Sequence, residues 1–88
     1  MRFEYDEAKA RTNAAKHGVS FEEAKLAFAD PNRKIYLDKL HSDTELRQFC
    51  IGKVGGSVMT VVFTLRNGNI RIISAGYYRK GRKLYEQR

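Results

Sequence analysis

The N-terminal third of the chain carries an apolar pattern that predicts a short strand followed by a helix. Residues 3–5 alternate between apolar and polar side chains, as a half-exposed edge strand does. Asp6 can cap the helix, because its carboxylate accepts hydrogen bonds from the free amides of the first turn. The alanine-rich segment Glu7–His17 continues the helix, and Gly18 suits its end since glycine tolerates the left-handed backbone there.

A second helix is predicted directly after the first. Ser20 and Glu23 have the spacing of a capping box, in which each side chain bonds to the backbone of the other residue. The helix runs to about Ala29, and Asp30-Pro31 stops it because a residue before proline avoids the helical conformation. Neither helix has another apolar core to join, so both are expected to cover one face of a sheet.

The rest of the chain has the pattern of an antiparallel sheet followed by a basic helix. Asn67-Gly68 is a strong signal for a two-residue hairpin turn, and Gly55-Gly56 is another. Residues 38–44 form a polar loop. The predicted strands cover residues 34–37, 47–54, 57–66 and 69–76, and the final helix covers 79–88. This order predicts one α+β domain over residues 1–88, with two N-terminal helices packed on a four- to five-stranded, mainly antiparallel sheet.

The turn at Asn67-Gly68 predicts which side chains share a face of the sheet. It places Arg66 opposite Asn69 and Thr64 opposite Arg71. Two arginines and a hydroxyl on one open face can hold a phosphate by paired donation, and they equally fit a pair of solvated arginines. The core face is predicted to carry Val61, Phe63, Leu65, Ile70, Ile72 and Ser74, and the other face Thr60, Val62, Thr64, Arg66, Arg71, Ile73 and Ala75.

The register of the strand over residues 47–54 has two interpretations. A two-residue turn at Gly55-Gly56 places Arg47 opposite Thr64. A three-residue loop shifts the strand by one residue and turns Phe49 and Ile51 to the core face. The apolar pattern favours the three-residue loop, which leaves the position of Arg47 open.

Positive charge is concentrated at the C-terminal end. Residues 66–88 hold seven Lys or Arg and one acid, Glu86, which gives +6 of the formal net charge of +7. Tyr77, Tyr78 and Tyr85 lie among these cations. Cations attract phosphates and flat rings stack on bases, so the segment fits a polyanion such as RNA. A solvated basic helix with its tyrosines in the core is the other interpretation.

The residues with acid–base or metal chemistry are few and scattered. His41 lies in the polar loop with Asp38 and Glu45 nearby, so it suits proton transfer, or it is an exposed loop histidine. His17 suits the negative end of its helix dipole. Cys50 is the single cysteine, is predicted to be a small core residue and can form no internal disulfide. This spacing does not favour a zinc site, and no cofactor is expected.

The chain has no obvious targeting signal. No apolar run approaches the roughly 20 residues that span a bilayer. The N-terminus is polar and acidic, which does not predict a signal peptide. A cytoplasmic protein with no membrane contact is therefore expected.

Two sequence blocks, together with residues before and between them, match a known family pattern. The first block is KHGVSFEEA over residues 16–24, and the second is IRIISA over residues 70–75. The other matching residues are Phe3-Glu4-Tyr5-Asp6, Lys9, Asn13, Phe28, Asp30-Pro31, Asp38, His41-Ser42, Glu45, Arg47, Gly52, Val62 and Thr64. In this order, and as far as Ala75, the chain resembles the BrnT toxins.

The resemblance implies a fold, an activity and a partner. It implies a RelE-like fold and a ribonuclease that inhibits translation and growth. It also implies neutralisation by a BrnA-like antitoxin, which binds DNA, so that operator DNA is bound only through the toxin–antitoxin complex.

The similarity weakens after Ala75. The family pattern has an arginine where this chain has Gly76, and a Glu-Arg pair near the position of Gly81-Arg82. Tyr85 is retained. A second hypothesis follows: a weakened or inactive RelE-like module that binds antitoxin or nucleic acid without cleavage.

Metal-independent RNA cleavage by the neighbouring 2′-hydroxyl requires a base, a cation at the phosphate and an acid. Arginine suits the phosphate because it stays charged and matches phosphate oxygens with a planar fork. His41 or Glu45 is the predicted base or acid, and Tyr77 is predicted to stack on a base. The phosphate candidates are Arg66 and Arg71 first and then Arg47, and the further RNA-binding candidates are Thr64, Arg79, Lys80, Arg82 and Lys83.

Overall fold

The computed structural model describes residues 2–87, and within them the chain forms five strands, three α-helices and two 3₁₀ helices. Every strand predicted from the sequence is present, and the fold class is α+β as expected. The predicted terminal helix ends at Glu86, and Arg88 lies outside the described residues. The elements are β1 Phe3–Glu4, α1 Glu7–His17, α2 Phe21–Ala24, a 3₁₀ helix Lys25–Ala29, β2 Lys34–Leu37, a 3₁₀ helix Lys39–His41, β3 Arg47–Val54, β4 Ser57–Arg66, β5 Asn69–Gly76 and α3 Arg79–Glu86.

The described strands form one mixed sheet in the order β1-β5-β4-β3-β2. Strands β2 to β5 are antiparallel to their neighbours. The edge strand β1 is parallel to β5, with Phe3 opposite Ile70 and Glu4 opposite Arg71. This parallel edge brings an acidic side chain from the N-terminus beside an arginine that lies 67 residues later.

The first helix has the predicted ends. Oδ1 of Asp6 accepts hydrogen bonds from the amides of Ala8 and Lys9, at 2.8 and 3.1 Å. Gly18 closes the helix with φ 68°. Asn13 is buried in the middle of α1, and its amide group donates to Ala75 O and accepts from Ala75 N. This pair of hydrogen bonds fixes α1 against β5.

The second helix begins as predicted but changes from an α-helix to a 3₁₀ helix. Ser20 and Glu23 form the reciprocal capping box. The chain is α-helical only to Ala24 and then continues as a 3₁₀ helix. The prediction of one helix to about Ala29 is therefore wrong in type. Here the backbone lies directly on β3, because a methyl group built on Gly52 would be 2.3 Å from Ala27 O.

The helices α1 and α2 and the 3₁₀ helix after them cover one face of the sheet, the inner face. It carries Cys50, Val61, Phe63, Ile72 and Ala75. Phe63 packs edge-on against Phe28, with ring centroids 5.0 Å apart. Cys50 is buried in this core as predicted, and burial raises the pKa of its thiol to about 12, so it is a protonated, inert group at neutral pH.

A β-bulge in β5 corrects the predicted faces. The register from the Asn67-Gly68 turn is as predicted up to Phe63, which is opposite Ile72, but Val62 is opposite Ser74. The extra residue, Ile73, reverses the alternation that follows. Ser74 therefore lies on the outer face, the face opposite the inner one, and Ala75 lies in the core. A local insertion of this kind leaves no mark in a pattern of alternating apolar residues.

The register of β3 is also corrected. Val54 is opposite Ser57, so Gly55-Gly56 forms a two-residue turn, with Gly55 at φ 64°. The three-residue loop that the apolar pattern favours is wrong. Phe49 and Ile51 are on the outer face, where helix α3 shields Ile51, and a second apolar layer explains the misleading pattern.

Helix α3 lies on the outer face and covers only part of it. Gly81 is buried against Thr60 and Ile51. The uncovered part continues to Arg47 and Arg71, at the other end of the same strands. None of the helices within residues 2–87 is long and apolar enough to cross a membrane.

Candidate functional site

A row of polar residues crosses the uncovered part of the outer face. Arg47 on β3 is opposite Thr64 on β4, Thr64 is opposite Arg71 on β5, and Arg71 is opposite Glu4 on β1. The strand pairing therefore places Arg47, Thr64 and Arg71 in line. The three residues therefore share one end of the outer face, with Thr64 buried between the two arginines.

A groove of about 430 Å³ runs beside this row, between the sheet and α3. Its apolar lining comes from β3, β4, β5 and α3, and includes Phe49, Val62, Ile73 and Leu84. Its ionisable lining is His41 and Asp38 from the loop, Arg47 from β3 and Lys80 from α3. The groove thus joins an apolar surface to a mostly cationic rim.

The α3 wall of the groove is held at its C-terminal end. Nζ of Lys34 donates to the carbonyl oxygens of Leu84, at 2.7 Å, and of Gln87. Tyr85 Oη donates to Asp30 Oδ2 at 2.6 Å, and the same oxygen accepts from the amide of Lys53. These two donors hold the pKa of Asp30 below its usual range. Contacts from β2, β3 and the end of the 3₁₀ helix therefore fix the position of α3.

Gly76 and Gly81, the two glycines at which the resemblance predicts other residues, are closely packed. A methyl group built on Gly76 would lie 2.9 Å from the ring of Tyr78, which also packs edge-on against His17. A methyl group built on Gly81 would lie 2.0 Å from Thr60 Oγ1. An arginine at the first position would displace the tyrosine ring, and a glutamate at the second would push α3 away from the sheet.

We expect Gly81→Ala to destabilise the protein, although alanine is the better helix former. Helix propensity favours alanine by about 1 kcal/mol. The clash with Thr60 Oγ1 opposes this gain, because overpacking costs about 1–3 kcal/mol and α3 must move. The melting temperature of Gly81→Ala should be lower than that of the unsubstituted protein.

The double variant Thr60→Ala/Gly81→Ala tests the cause of this effect. It should recover most of the loss, because the hydroxyl that blocks the new methyl group is gone. Thr60→Ala alone is the control and should cost little, since this buried hydroxyl has no hydrogen-bond partner within residues 2–87. A melting temperature for Gly81→Ala at or above that of the unsubstituted protein would contradict the close packing.

His41 is oriented by a buried carboxylate. Its Nδ1 lies 3.1 Å from Oδ2 of Asp38, whose side chain is only 6% exposed. Asp38 also accepts from the amide of Leu40, which fixes the carboxylate. A carboxylate accepts hydrogen bonds, so this contact places a proton on Nδ1 and leaves Nε2 free to accept one. The loop therefore presents a histidine in one defined tautomer.

Arg47 is held by its backbone, and its side chain is unpaired. Its amide donates to Ser42 Oγ at 3.0 Å, and its carbonyl oxygen accepts from the amide of Asp38 at 2.9 Å. These bonds join the start of β3 to the loop that carries His41. Among residues 2–87, no carboxylate oxygen lies within 4.0 Å of a side-chain nitrogen of Arg47. Its guanidinium is thus available to an external anion.

Arg66 and Arg71 each form an ion pair. Arg66 Nη2 is 2.9 Å from Oε2 of Glu45, and Arg71 Nη1 is 2.9 Å from Oε2 of Glu4. The hydrogen bond from Arg66 lowers the pKa of Glu45, which makes this carboxylate both a weak base and a poor proton donor at neutral pH. The two arginines share a face of the sheet as predicted, but Glu45 and Glu4 neutralise part of their charge.

Thr64 does not have a free hydroxyl for a phosphate. It is 1% exposed, and Oγ1 donates to Leu46 O at 2.6 Å. Its sequence-predicted role as an RNA-binding donor does not fit this geometry, because the only hydroxyl proton is already used.

The remaining predicted residues are divided between two places. Tyr77 does not line the groove of His41 and Arg47; it lines a second pocket with Lys53. Lys83 is exposed on α3 and lines neither pocket. Lys80 lines the groove, whereas Arg79 and Arg82 line the second pocket with Tyr77. The structure therefore separates a site that combines His41, Arg47 and Lys80 from a basic patch on another side of α3, formed by Arg79 and Arg82.

The sequence prediction omitted two residues that line the site. Asp38 was only a neighbour of His41 in sequence, although an acid three residues before a histidine, directly after a strand, suits a short turn that joins the two side chains. Phe49 is predicted to face the core, because the favoured three-residue loop shifts the pairing of β3 by one residue. Within residues 2–87, no three His, Cys, Asp or Glu side chains are grouped as metal ligands would be.

Comparison with known proteins identifies the family. A search of curated proteins found no match. The sequence profile of the family described as "Ribonuclease toxin, BrnT, of type II toxin-antitoxin system" matches residues 5–81. The match covers most of the chain, extends past Ala75 through β5, and includes Asp38, His41 and Arg47. The chain therefore belongs to the BrnT family of ribonuclease toxins from type II toxin–antitoxin systems.

Proposed function

We propose that this chain is an endoribonuclease that cleaves RNA without a metal ion and inhibits translation and growth in the cytoplasm. One observation carries the proposal: an oriented histidine, His41, lines one groove with Arg47, which has no ion-pair partner in the described part of the chain. When a neighbouring 2′-hydroxyl attacks a phosphate, the reaction depends most on two groups: a base for the hydroxyl proton and a fixed cation for the phosphate oxygens. Family membership supports the same activity.

His41 is the proposed general base. Its Nε2 accepts the proton of the 2′-hydroxyl while Asp38 stabilises the positive charge that forms on the ring. The 2′-oxygen then bonds to phosphorus and the bond from phosphorus to the 5′-oxygen breaks. Water supplies the proton to the leaving 5′-oxygen, and the products are a 2′,3′-cyclic phosphate and a 5′-hydroxyl.

Arg47 is the proposed phosphate ligand. Charge grows on the phosphoryl oxygens as the 2′-oxygen attacks, and a fixed guanidinium stabilises it by two parallel hydrogen bonds. Lys80 adds a second cation to the same groove. Arg66 and Arg71 act at longer range, because each shares its charge with a carboxylate. Tyr77, Arg79, Arg82 and Lys83 are proposed to hold the RNA beyond the groove.

The proposed partner is a BrnA-like antitoxin. A type II family implies a protein antitoxin. Acidic residues of such a partner would be attracted to the cationic rim of the groove, and covering Arg47 and His41 would block RNA. Operator DNA is proposed to be bound by the complex through the antitoxin.

The purified protein should cleave single-stranded RNA in the presence of EDTA and leave 2′,3′-cyclic phosphate ends. Mass spectrometry of the products measures this directly. The control is the same RNA with one 2′-deoxynucleotide at the mapped cleavage position, which should stay intact because the nucleophile is missing. Expression without an antitoxin should stop growth. RNA that stays intact over long incubation, or cleavage that needs an added metal ion, would contradict the proposal.

A second candidate is a module that binds RNA or antitoxin without cleavage. The packing at Gly76 and Gly81 favours it, because no side chain at these positions reaches the site. Both candidates predict binding that weakens with salt, since each neutralised phosphate releases counterions. Only the nuclease produces cyclic phosphate ends, so product analysis distinguishes them.

A further inference from the structure

We propose that the groove between α3 and the sheet is a base-recognition pocket, which binds one unstacked nucleobase of the RNA beside the cleaved phosphate. This inference rests on the proposed function, because the roles proposed for His41 and Arg47 define where the cleaved phosphate lies relative to the pocket. It adds a ligand subsite and predicts that binding and cleavage depend on the presence of a base next to the cleaved phosphate.

The shape of the groove suits a flat ligand. A cavity of about 430 Å³ is in the range of pockets that hold small ligands. Its floor is the outer face of β3, β4 and β5, with Phe49 opposite Val62 and Val62 opposite Ser74. Phe49 is half-buried, so one aromatic side chain of the floor is still accessible for stacking.

The chemistry of the rim suits a nucleotide. Arg47 and Lys80 line the groove, and neither forms an ion pair within residues 2–87. The one carboxylate in the lining, Asp38, is occupied by His41 and the Leu40 amide. An apolar floor with an unneutralised cationic rim is complementary to a base with its attached phosphate.

The α3 wall is already in place, so a ligand does not need to order it. Lys34 and Asp30 hold the C-terminal end of α3, and Gly81 lets the helix backbone reach Thr60. A preformed wall lowers the entropic cost of binding. The departure at Gly81 therefore contributes to the pocket, because a larger side chain at this position would lift the wall.

The test uses a short single-stranded RNA with a 2′-O-methyl group at the cleavage position, so that binding is measured without cleavage. Replacement of the flanking base by an abasic residue should weaken binding by about 5- to 150-fold, the usual effect of one stacked base. The RNA should shift the methyl NMR signals of Val62, Ile73 and Leu84. Leu26, which is exposed on the 3₁₀ helix of the opposite face, is the control and should not shift.

Phe49→Leu keeps an apolar floor but removes its flat ring, so the difference between normal and abasic RNA should shrink to a few-fold. The matched control is Tyr36→Leu, an aromatic residue opposite Phe49 that does not line the groove, and it should keep the full difference. Equal binding of abasic and normal RNA, with no shift of the three methyl groups, would overturn the inference and leave the groove to a protein partner.

This test separates the two proposals. A protein that binds the base in the groove but produces no cyclic phosphate supports the pocket and contradicts the nuclease. A protein that cleaves RNA equally well with and without the base supports the nuclease and contradicts the pocket.

Discussion

His41→Ala should reduce RNA cleavage by about 10²–10⁴-fold, the usual contribution of a general base. The fold should not change, because the imidazole is 65% exposed and, within residues 2–87, its side-chain hydrogen bonds go to Asp38 alone. Cleavage of a defined RNA under single-turnover conditions measures the chemical step, and thermal unfolding measures stability. RNA binding should be nearly unchanged, so the loss should appear in the rate and not in the affinity.

His17→Ala is the matched control for this prediction. It removes the only other histidine, which lies at the end of α1 and outside the groove, and should leave cleavage nearly unchanged. Asp38→Asn tests the orienting contact. It removes the carboxylate charge that stabilises the imidazolium, so the single-turnover cleavage rate should fall while RNA binding stays nearly unchanged. Equal cleavage by His41→Ala and the unsubstituted protein would show that the base is another group.

Much of the architecture could be predicted because local signals agree with one another. The capping residues Asp6 and Ser20 and the turn at Asn67-Gly68 determine helix starts and a register through short-range geometry. The two errors of register have one cause. Both faces of the sheet carry apolar residues where α3 covers the outer face, so alternation could not show that Phe49 points outward or that β5 gains a residue at Ile73.

The site was harder to predict than the fold, because its electrostatics depend on long-range contacts. Arg71 is paired with Glu4, which is 67 residues away, and Arg66 is paired with Glu45 across the loop. A net charge calculated along the sequence counts these arginines as free. Arg47, from a segment of nearly neutral composition, lines the groove and has no ion-pair partner within residues 2–87. Charge density along the sequence is therefore an incomplete guide, because ion pairing determines which arginines of the outer face keep an unneutralised charge.

Arg47→Ala should reduce cleavage by about 10²–10³-fold, the usual effect of removing a fixed donor from a developing oxyanion. Stability should change little, because the bonds from Arg47 to Ser42 and Asp38 use only its backbone. Arg47→Lys should recover part of the activity, since it restores the charge but not the planar fork. Single-turnover rates and melting temperatures of the three proteins measure both effects.

Arg71→Ala provides the comparison that ranks the arginines. Its ion pair with Glu4 is partly exposed, and such pairs contribute about 0–1 kcal/mol, so the melting temperature should stay nearly constant. Cleavage should fall less than in Arg47→Ala, because the guanidinium already shares its charge. Glu4→Gln is the matched partner variant: it frees Arg71 and should maintain or increase RNA affinity. If the cleavage rate falls further in Arg71→Ala than in Arg47→Ala, Arg71 is the main phosphate ligand. The cleaved phosphate then lies over β5 and not over β3.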